Sequence, residues 1–348
     1  MRATYDEHRA KVADIREYIK VLQSVAGIPG GHPEEASAQA LKTFITMPQK
    51  RSYDYSLIII TLYGIFESYV EKMMCAYLNA LRLRVNTYAD LPDALKRKHI
   101  ELSTKLIGTN STKYGDIRPS VIIANLNSCL NQESEPYKLN VEAFRQHSSN
   151  FRKDALREFF VQVGVDNVQE DITKDSQLTG FIRKTMGEDE SEEKLPFSKY
   201  FEMLDDLIER RNVVAHGSEV DDLLSYDYLD EYAEYISLLM PPIYEALLYA
   251  YYYATIKANA INVLGAPIKV FNNSIVCINS SQYGIKVGDT LIGMNSRGEI
   301  QWGAIQSIEI DGERVQEVSP LQAANIGMVV PFKAKDNYIY YHHPEGNP

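Results

Sequence analysis

The chain has 348 residues, of which 45% are hydrophobic and 24% are charged, and this composition is typical of a globular protein with a sizeable core. A chain of this length is expected to form two domains. The net charge of −11 argues against broad electrostatic binding to nucleic acid, but it leaves room for a small basic cleft.

The cysteines and the apolar runs indicate the compartment. Cys75, Cys129 and Cys277 lie far apart, so we expect neither a disulfide framework nor a CxxC metal site. The N-terminal segment is charged throughout and lacks the apolar core of a signal peptide. The apolar run at residues 57–66 is too short to cross a membrane. These features predict a cytoplasmic protein without membrane contact.

Helical signals dominate the first part of the chain. Residues 4–25 carry apolar side chains at helical spacing and predict the first helix. The Gly/Pro-rich residues 27–39 predict a loop. From Tyr55 to about Val85 the chain is apolar on most faces, which predicts the central helix of a bundle.

Further helices are predicted beyond this central one. Shorter helices are expected over 91–107, 117–131, 140–148, 153–163 and 175–186. The acidic residues 187–194 predict a surface loop. The next helix has an apolar stripe formed by Phe201, Leu204, Leu207 and Val214, and it is expected to end at Gly217. The last long helix is predicted over about 225–262, with a kink or break at Pro241 and Pro242.

The pattern changes after Gly265. Short β-prone runs separated by turn residues cover 268–271, 274–278, 290–295, 303–310, 327–332 and 338–342, which fits a small barrel or sandwich. We therefore predict an α+β protein made of separate domains. Residues 1–264 would form an all-α helical bundle, and residues 265–348 would form a small antiparallel β-barrel.

Arg211, Asn212 and His216 lie on the last turns of the helix that is expected to end at Gly217. Asn212 and His216 share a face, while Arg211 is displaced from His216 by about 140° around the helix. Imidazole can serve as acid or base near neutral pH, and the helix dipole favours its charged form here. A guanidinium can hold a phosphate. These groups suffice to cleave RNA through its own 2′-hydroxyl, although an amphipathic helix with a solvated end explains the same residues.

Two segments carry a resemblance to a known family. RRNVVAHG, residues 210–217, resembles the R-polar-x-x-x-H signature of HEPN-domain proteins, which are helical modules found in many toxins and antiviral ribonucleases. Residues 54–81, with Gly64 and Glu67 in a G-x-F-E pattern, look like the early core helix of bacterial HEPN families. The resemblance implies a HEPN-like helical bundle through about residue 262, with residues 88–197 as a family-specific helical insertion.

The same resemblance implies roles for individual residues. Arg211 and His216 match the catalytic pair, and Asn212 matches the polar position beside it. Arg210 offers a competing register, but it lacks the expected polar residue after it. Glu67 matches an acidic position that could orient Arg211 through a buried ion pair, or it is a surface carboxylate paired with a basic side chain. The resemblance further implies 2′,3′-cyclic phosphate and 5′-hydroxyl products, and a composite site between two copies in a homodimer.

Several basic and aromatic residues are candidates for binding RNA. Candidate RNA contacts are the basic residues Arg82, Arg84, Lys96, Arg97 and Lys98, for which a solvated helix face is the alternative. Tyr249 and Tyr251–Tyr253 can stack on bases, but core packing or dimer contact is favoured.

The remaining histidines do not suggest a metal site. His8, His32, His99 and His147 show no metal-ligand spacing, and His342 and His343 are expected in a polar tail. We expect neither a metal nor a cofactor.

The C-terminal region is similar to the β-barrel that follows the GTPase domain of translation elongation factors. The similarity rests on Val287–Asp289, Ile305–Ile308 and Ala324–Gly327, with Asn325 departing from the family's glycine. Because that barrel contacts the acceptor end of aminoacyl-tRNA, the resemblance implies a translation-related substrate or partner. A generic small barrel used for packing or protein contact is the alternative.

Together these features predict a metal-independent endoribonuclease that cleaves RNA, with tRNA as the favoured substrate. It would act in toxin or antiphage defence as a homodimer, with an antitoxin or a phage-derived trigger as further partners. The alternative is a HEPN module without catalytic activity that binds nucleic acid or serves as a scaffold.

Overall fold

The computed structural model describes residues 1–26, 36–108, 118–131, 136–147, 149–187, 194–217, 222–279, 282–320, 325–344 and 346–348. Its helices are α1 (Arg2–Ala26), α2 (Ala36–Ile45), α3 (Lys50–Arg84), α4 (Asp93–Gly108), α5 (Pro119–Leu130), α6 (Lys153–Val161), α7 (Val168–Lys174), α8 (Ser176–Met186), α9 (Glu202–Ala215) and α10 (Tyr226–Lys257). Short 3₁₀ helices cover Tyr88–Asp90, Val141–Arg145 and Phe197–Tyr200. The prediction of a helical N-terminal part is confirmed.

Helix α3 forms the centre of the bundle, and α1, α9 and α10 pack against it. Its side chains are buried on most sides, with Ile58, Leu62 and Phe66 fully enclosed. Each large apolar side chain buried in this way stabilises the fold by roughly 2 kcal/mol. The predicted central helix is therefore confirmed, and its burial positions every helix around it.

Helix α10 runs as one helix through Pro241 and Pro242, so the two prolines do not divide it. The two prolines remove backbone hydrogen bonds from this part of the helix. The packing of α10 against α1 and α3 compensates for this loss. The helix ends at Lys257, earlier than predicted, and Asn259 has a φ of 52°, a left-handed conformation typical of a helix stop.

Several other boundaries differ from the sequence-based expectation. Residues 36–39 belong to α2 rather than to a loop, and the predicted helix at 140–148 is a 3₁₀ helix over Val141–Arg145. Helix α7 was not predicted. The two predicted loops cover residues 27–39 and 187–194. Residues 27–35 of the first loop and 188–193 of the second lie outside the described residues.

The C-terminal region contains strands β1 (Asn262–Gly265), β2 (Lys269–Phe271), β3 (Ile275–Ile278), β4 (Ile285–Lys286), β5 (Thr290–Met294), β6 (Ile300–Ala304), β7 (Ser307–Ile310), β8 (Glu313–Val315), β9 (Glu317–Val318), β10 (Ile326–Val329) and β11 (Ile339–His343). They form antiparallel sheets in the orders β1-β11-β5-β6, β2-β3-β10-β7-β8 and β4-β9. The prediction of an antiparallel β region is confirmed.

The predicted closed β-barrel is wrong, because the sheets of the described residues are not joined into one closed ladder. The run 303–310 does not form the single strand that its β-prone residues predict, because the chain changes sheets within it. Ile305 N donates to Asp289 O at 2.8 Å, and Gln306 N donates to Val329 O at 2.8 Å. Two neighbouring residues thus bond to different sheets, so the ladder of β6 does not continue into that of β7.

The β region packs onto the helical bundle. Ile292 and Ile300 belong to the same buried cluster as the helices, and Trp302 contacts the rings of Tyr249 and Tyr252. The connection explains why the aromatic end of α10 is mostly core. Tyr251 and Tyr252 are buried, in agreement with the favoured prediction of packing.

The expectation of a polar tail at His342 and His343 is wrong, because both lie buried in β11. His342 Nε2 lies 2.8 Å from Asp289 Oδ2. His343 Nε2 lies 3.0 Å from the Tyr251 hydroxyl and 3.2 Å from an Arg84 nitrogen. Burial, aided by the Arg84 charge, lowers the pKa of His343 to about 4. These contacts fasten β11 to α10 and to the end of α3.

We predict that Gly303→Ala destabilises the protein. A Cβ at Gly303 would lie 2.5 Å from Cγ of Pro331, where the rigid ring cannot move away. Overpacking of this kind costs about 1–3 kcal/mol, measurable by urea unfolding. The matched control is Gly180→Ala in α8, where nothing lies within 4 Å and alanine favours the helix. Equal effects of the two substitutions would contradict the close packing of β6.

Candidate functional site

The motif residues lie at the C-terminal end of α9. Arg211 and Asn212 are in its last turns, and His216 follows directly as the capping residue. His216 N donates to Asn212 O at 3.0 Å, and Gly217 has a φ of 71°, which confirms the predicted helix stop. The His216 side chain is exposed, so its ring is accessible to a substrate.

Arg211 is held without being neutralised. Its guanidinium lies 5.3 Å from the centroid of the Tyr63 ring, a cation–π contact. Its Nη1 lies 3.3 Å from Oδ1 of Asn212. Within the described ranges, no carboxylate forms an ion pair with Arg211. The charge therefore remains available for an anion such as a phosphate.

Arg210 differs from Arg211 in this respect. Arg210 Nε lies 2.6 Å from Asp206 Oδ2, and its Nη1 donates to the Tyr55 hydroxyl at 3.2 Å. Its charge is thus balanced by Asp206 in a partly exposed ion pair. This difference favours the register that begins at Arg211 over the one that begins at Arg210.

The segment from Asn150 to Arg152 supports the motif from the side. Asn150 Nδ2 donates to Asn212 Oδ1 at 3.0 Å, and Phe151 N donates to the Tyr63 hydroxyl at 3.1 Å. Arg152 pairs with Asp205 and Glu209 of α9. Asn212 is therefore oriented by two donors, Asn150 and Arg211, while Tyr63 is fixed at both its ring and its hydroxyl.

Glu67 does not form the expected ion pair with Arg211 in the described structure. Its carboxylate instead lies 3.6 Å from His147 Nε2. Glu67 and Arg211 both act on Tyr63. Burial raises the pKa of the Tyr63 phenol, the Glu67 charge raises it further, and the Arg211 charge opposes the rise. Glu67 thus lies near the motif but acts on it through Tyr63 rather than by direct contact.

A buried polar cluster adjoins the motif on the α3 side. It consists of Glu67, Glu71, Arg145 and His147. Arg145 donates to Glu71 Oε2 from Nε at 3.0 Å and from Nη2 at 2.7 Å, and His147 Nε2 lies 2.9 Å from Glu71 Oε1. The i, i+4 spacing of Glu67 and Glu71 places both on one face of α3. The spacing of the two glutamates is the sequence feature that could have predicted part of this cluster. The residues around His147 show no pattern that links His147 to the glutamates.

The predicted RNA contacts lie apart from the motif. Arg82 and Arg84 are at the far end of α3, roughly 30 Å along the helix from Tyr63, and Arg84 contacts His343. Lys96 pairs with Asp93 and Lys98 with Glu101, while Arg97 is exposed. All five residues stay predicted contacts, and Arg82 and Arg84 could reach only an RNA that extends well beyond the motif.

A cavity of about 430 Å³ lies where α10 meets the turn between β5 and β6. Tyr249, Tyr253, Lys257 and Arg297 are among its lining residues, and none of the motif residues lines it. Because Tyr249 and Tyr253 line this cavity, a ligand in it would contact them. The cavity is therefore separate from the Arg–His motif.

The helix α3, which carries the G-x-F-E pattern, packs against α9, which ends in the Arg-polar-x-x-x-His pattern. A sequence model of the RiboL-PSP-HEPN family matches residues 34–249. This is more than half of the chain, and the protein belongs to that family. The match runs through residues 88–197 and includes the whole motif. No curated protein and no solved structure matches the chain.

The family gives the general setting of the motif. HEPN domains are generally ribonucleases or otherwise related to nucleic acids. In the part of the chain that the structure describes, no helix is long and apolar enough to cross a membrane.

We predict that Glu71→Gln lowers the free energy of unfolding by about 2 kcal/mol, because it leaves Arg145 and His147 without their buried counter-charge. Urea denaturation would measure the loss. Glu209→Gln is the matched control, since Glu209 is an exposed partner of Arg152 and such pairs contribute less than about 1 kcal/mol. A loss at Glu71 no greater than that at Glu209 would show that the cluster does not stabilise the bundle.

Proposed function

We propose that this protein is an endoribonuclease in which Arg211, Asn212 and His216 act on RNA without a metal in the chemical step. The observation that carries the proposal is the Arg211 guanidinium, which is positioned on Tyr63 yet has no carboxylate partner in the described structure. An exposed histidine lies at the same helix end. A fixed cation and an accessible acid–base group are the two elements that phosphodiester cleavage requires.

The proposed reaction uses the 2′-hydroxyl of the RNA as its nucleophile. One His216 takes the 2′-hydroxyl proton as the oxygen attacks phosphorus, and a protonated imidazole gives a proton to the departing 5′-oxygen. The bond from phosphorus to the 2′-oxygen forms and the bond to the 5′-oxygen breaks. Arg211 stabilises the charge that develops on the phosphoryl oxygens, and the products are a 2′,3′-cyclic phosphate and a 5′-hydroxyl.

The two proton transfers are best served by two copies of the motif. Because Arg211 and His216 are displaced by about 140° around α9, one copy does not direct both groups to the same side. A second chain facing the first would supply the missing group. We therefore propose a homodimer with a composite site.

An exposed apolar stripe on α3 is the proposed dimer face. Tyr53, Leu57 and Ile60 are 57%, 50% and 45% exposed, and their spacing places them on one side of the helix. Gly64 continues the stripe with open space around it, and Val213 of α9 is also exposed. Exposed apolar patches of this kind mark interaction sites. A second copy fits here because the stripe leads directly to the motif.

The substrate and biological role are extensions of this proposal. The sequence similarity at Val287–Asp289 and Ile305–Ile308 to an elongation-factor domain supports tRNA as the RNA that is cut, although the described part of the region does not form the closed barrel of that domain. The family's association with toxins and antiviral ribonucleases supports a role in toxin or antiphage defence, under an antitoxin or a phage-derived trigger. The net charge of −11 favours the alternative, a HEPN module that binds or scaffolds without cleaving.

We expect His216→Ala and Arg211→Ala each to lower RNA cleavage by about 10²–10⁴-fold, because each removes a group that acts in the transition state. The measurement is the yield of 5′-hydroxyl RNA ends from tRNA and total RNA. Arg157→Ala is the control, since this arginine is exposed on α6 and is not one of the residues that contact Arg211, Asn212 or His216 in the described structure. If neither motif variant loses activity relative to Arg157→Ala, the ribonuclease proposal fails.

The double variant Leu57→Asp, Ile60→Asp should be monomeric and inactive, because it places charges in the proposed apolar interface. Light scattering during gel filtration would give the mass, and the cleavage assay would give the activity. Ile100→Asp is a matched control, because Ile100 is similarly exposed but lies on α4. A monomeric double variant that cuts RNA at the normal rate would overturn the composite site.

A further inference from the structure

Three potential ligand atoms converge beside the motif. Glu67 Oε1 and Glu71 Oε1 come from successive turns of α3, and His147 Nε2 comes from the segment after the 3₁₀ helix Val141–Arg145. These atoms all lie within 4.8 Å of one another. His147 Nε2 is 2.9 Å from Glu71 Oε1 and 3.6 Å from Glu67 Oε1. An imidazole nitrogen and two carboxylate oxygens form a common ligand set for divalent metals.

The other nitrogen of the ring decides how Nε2 is presented. His147 Nδ1 lies 2.9 Å from the carbonyl oxygen of Ser149. A carbonyl oxygen only accepts, so Nδ1 carries the proton and donates. In the neutral ring, the lone pair of Nε2 then faces two carboxylates. Three electron-rich atoms this close together repel one another unless a proton or a cation lies between them.

A proton on Nε2 satisfies this requirement only in part. It can be shared with Glu71 at 2.9 Å, but 3.6 Å to Glu67 is too long for a hydrogen bond. Within the described residues, nothing else donates to the Glu67 carboxylate. A metal ion bound about 2.1 Å from each ligand places neighbouring ligand atoms roughly 3.0–3.4 Å apart. The two distances from His147 Nε2, 2.9 Å and 3.6 Å, lie on either side of that range, and the two carboxylate oxygens lie within 4.8 Å of each other.

The surroundings resemble the support that metal ligands receive in proteins. The Nδ1–H bond to a backbone carbonyl fixes the ring, and Arg145 binds the other oxygen of Glu71. Hydrogen-bonded outer groups of this kind orient metal ligands. The Glu67 side chain is 25% exposed, whereas those of His147 and Glu71 are 11% and 5% exposed. An ion could enter, and keep a water ligand, on the Glu67 side.

We infer that Glu67, Glu71 and His147 bind a divalent transition-metal ion of the Zn²⁺ or Mn²⁺ type. The ion joins α3 to the segment that carries Ser149 and Asn150. Because Asn150 donates to Asn212, the bound ion also fixes one side of the Arg–His motif. The site takes no part in the proposed chemical step, and it does not depend on ribonuclease activity.

The test is direct metal binding by the full chain. Chelator-treated protein in metal-free buffer would be titrated with ZnCl₂ and with MnCl₂ by calorimetry, with MgCl₂ as a hard-cation comparison. We expect one transition-metal ion per chain, and a Kd at least 10-fold weaker in Glu67→Gln and in His147→Ala. His216→Ala is the matched control and should bind the ion like the unaltered protein. Co²⁺ absorption bands that disappear in Glu67→Gln would report coordination at this cluster.

Two results would overturn the inference. One is the absence of Zn²⁺ and Mn²⁺ binding, which would leave the cluster as an ion-pair network alone. The other is unchanged binding in Glu67→Gln and His147→Ala, or binding lost in His216→Ala, which would place the ion elsewhere. Glu67→Gln preserves shape at a partly exposed position, so circular dichroism should show a folded protein. Because calorimetry needs no cleavage, the ribonuclease proposal and the metal site can fail separately.

Discussion

The hydroxyl groups of buried tyrosines on α3 determine how the bundle is assembled. A buried phenol requires a hydrogen-bond partner, and three tyrosines find theirs on three different elements. Tyr69 donates to Met240 O of α10 at 2.7 Å, Tyr55 accepts from Arg210 of α9, and Tyr63 accepts from Phe151 N. The apolar bodies of these rings fill the core, while their polar tips fix the orientation of each neighbour. One helix thereby sets the positions of the two segments that form the candidate site.

This arrangement sorts the charges around the motif. Arg210 pairs with Asp206 and donates to the Tyr55 hydroxyl, while Glu71 is paired with Arg145 and His147. Arg211 instead contacts an aromatic face and an amide. Because Arg211 forms no ion pair with a carboxylate in the described residues, its guanidinium retains its attraction for an anion. Its surroundings follow from the way α3 and α9 pack together.

The sequence was informative where structure depends on local spacing. The apolar period of α3, the stripe of α9 and its stop at Gly217 are local features, and all were predicted. Residues joined only by tertiary contacts were not: His147 lies 76 positions from Glu71, and no short pattern links them. The barrel and the polar tail at His342 and His343 were wrong for a related reason. Strand pairing is set by partners that are distant in the sequence. A pair of histidines predicts a polar segment, because the tertiary contacts with Asp289, Tyr251 and Arg84 that enclose the pair leave no local pattern.

The contact between His343 and Arg84 gives α3 a further property. The helix is 35 residues long, about 50 Å from end to end. One end touches β11, and the middle bears the ring that supports Arg211. Apart from its exposed stripe at Tyr53, Leu57 and Ile60, the helix is packed against its neighbours, so it transmits a shift better than a loop would. We therefore expect a ligand that repositions β11 to act on Tyr63 as well, which would link the β region to Arg211.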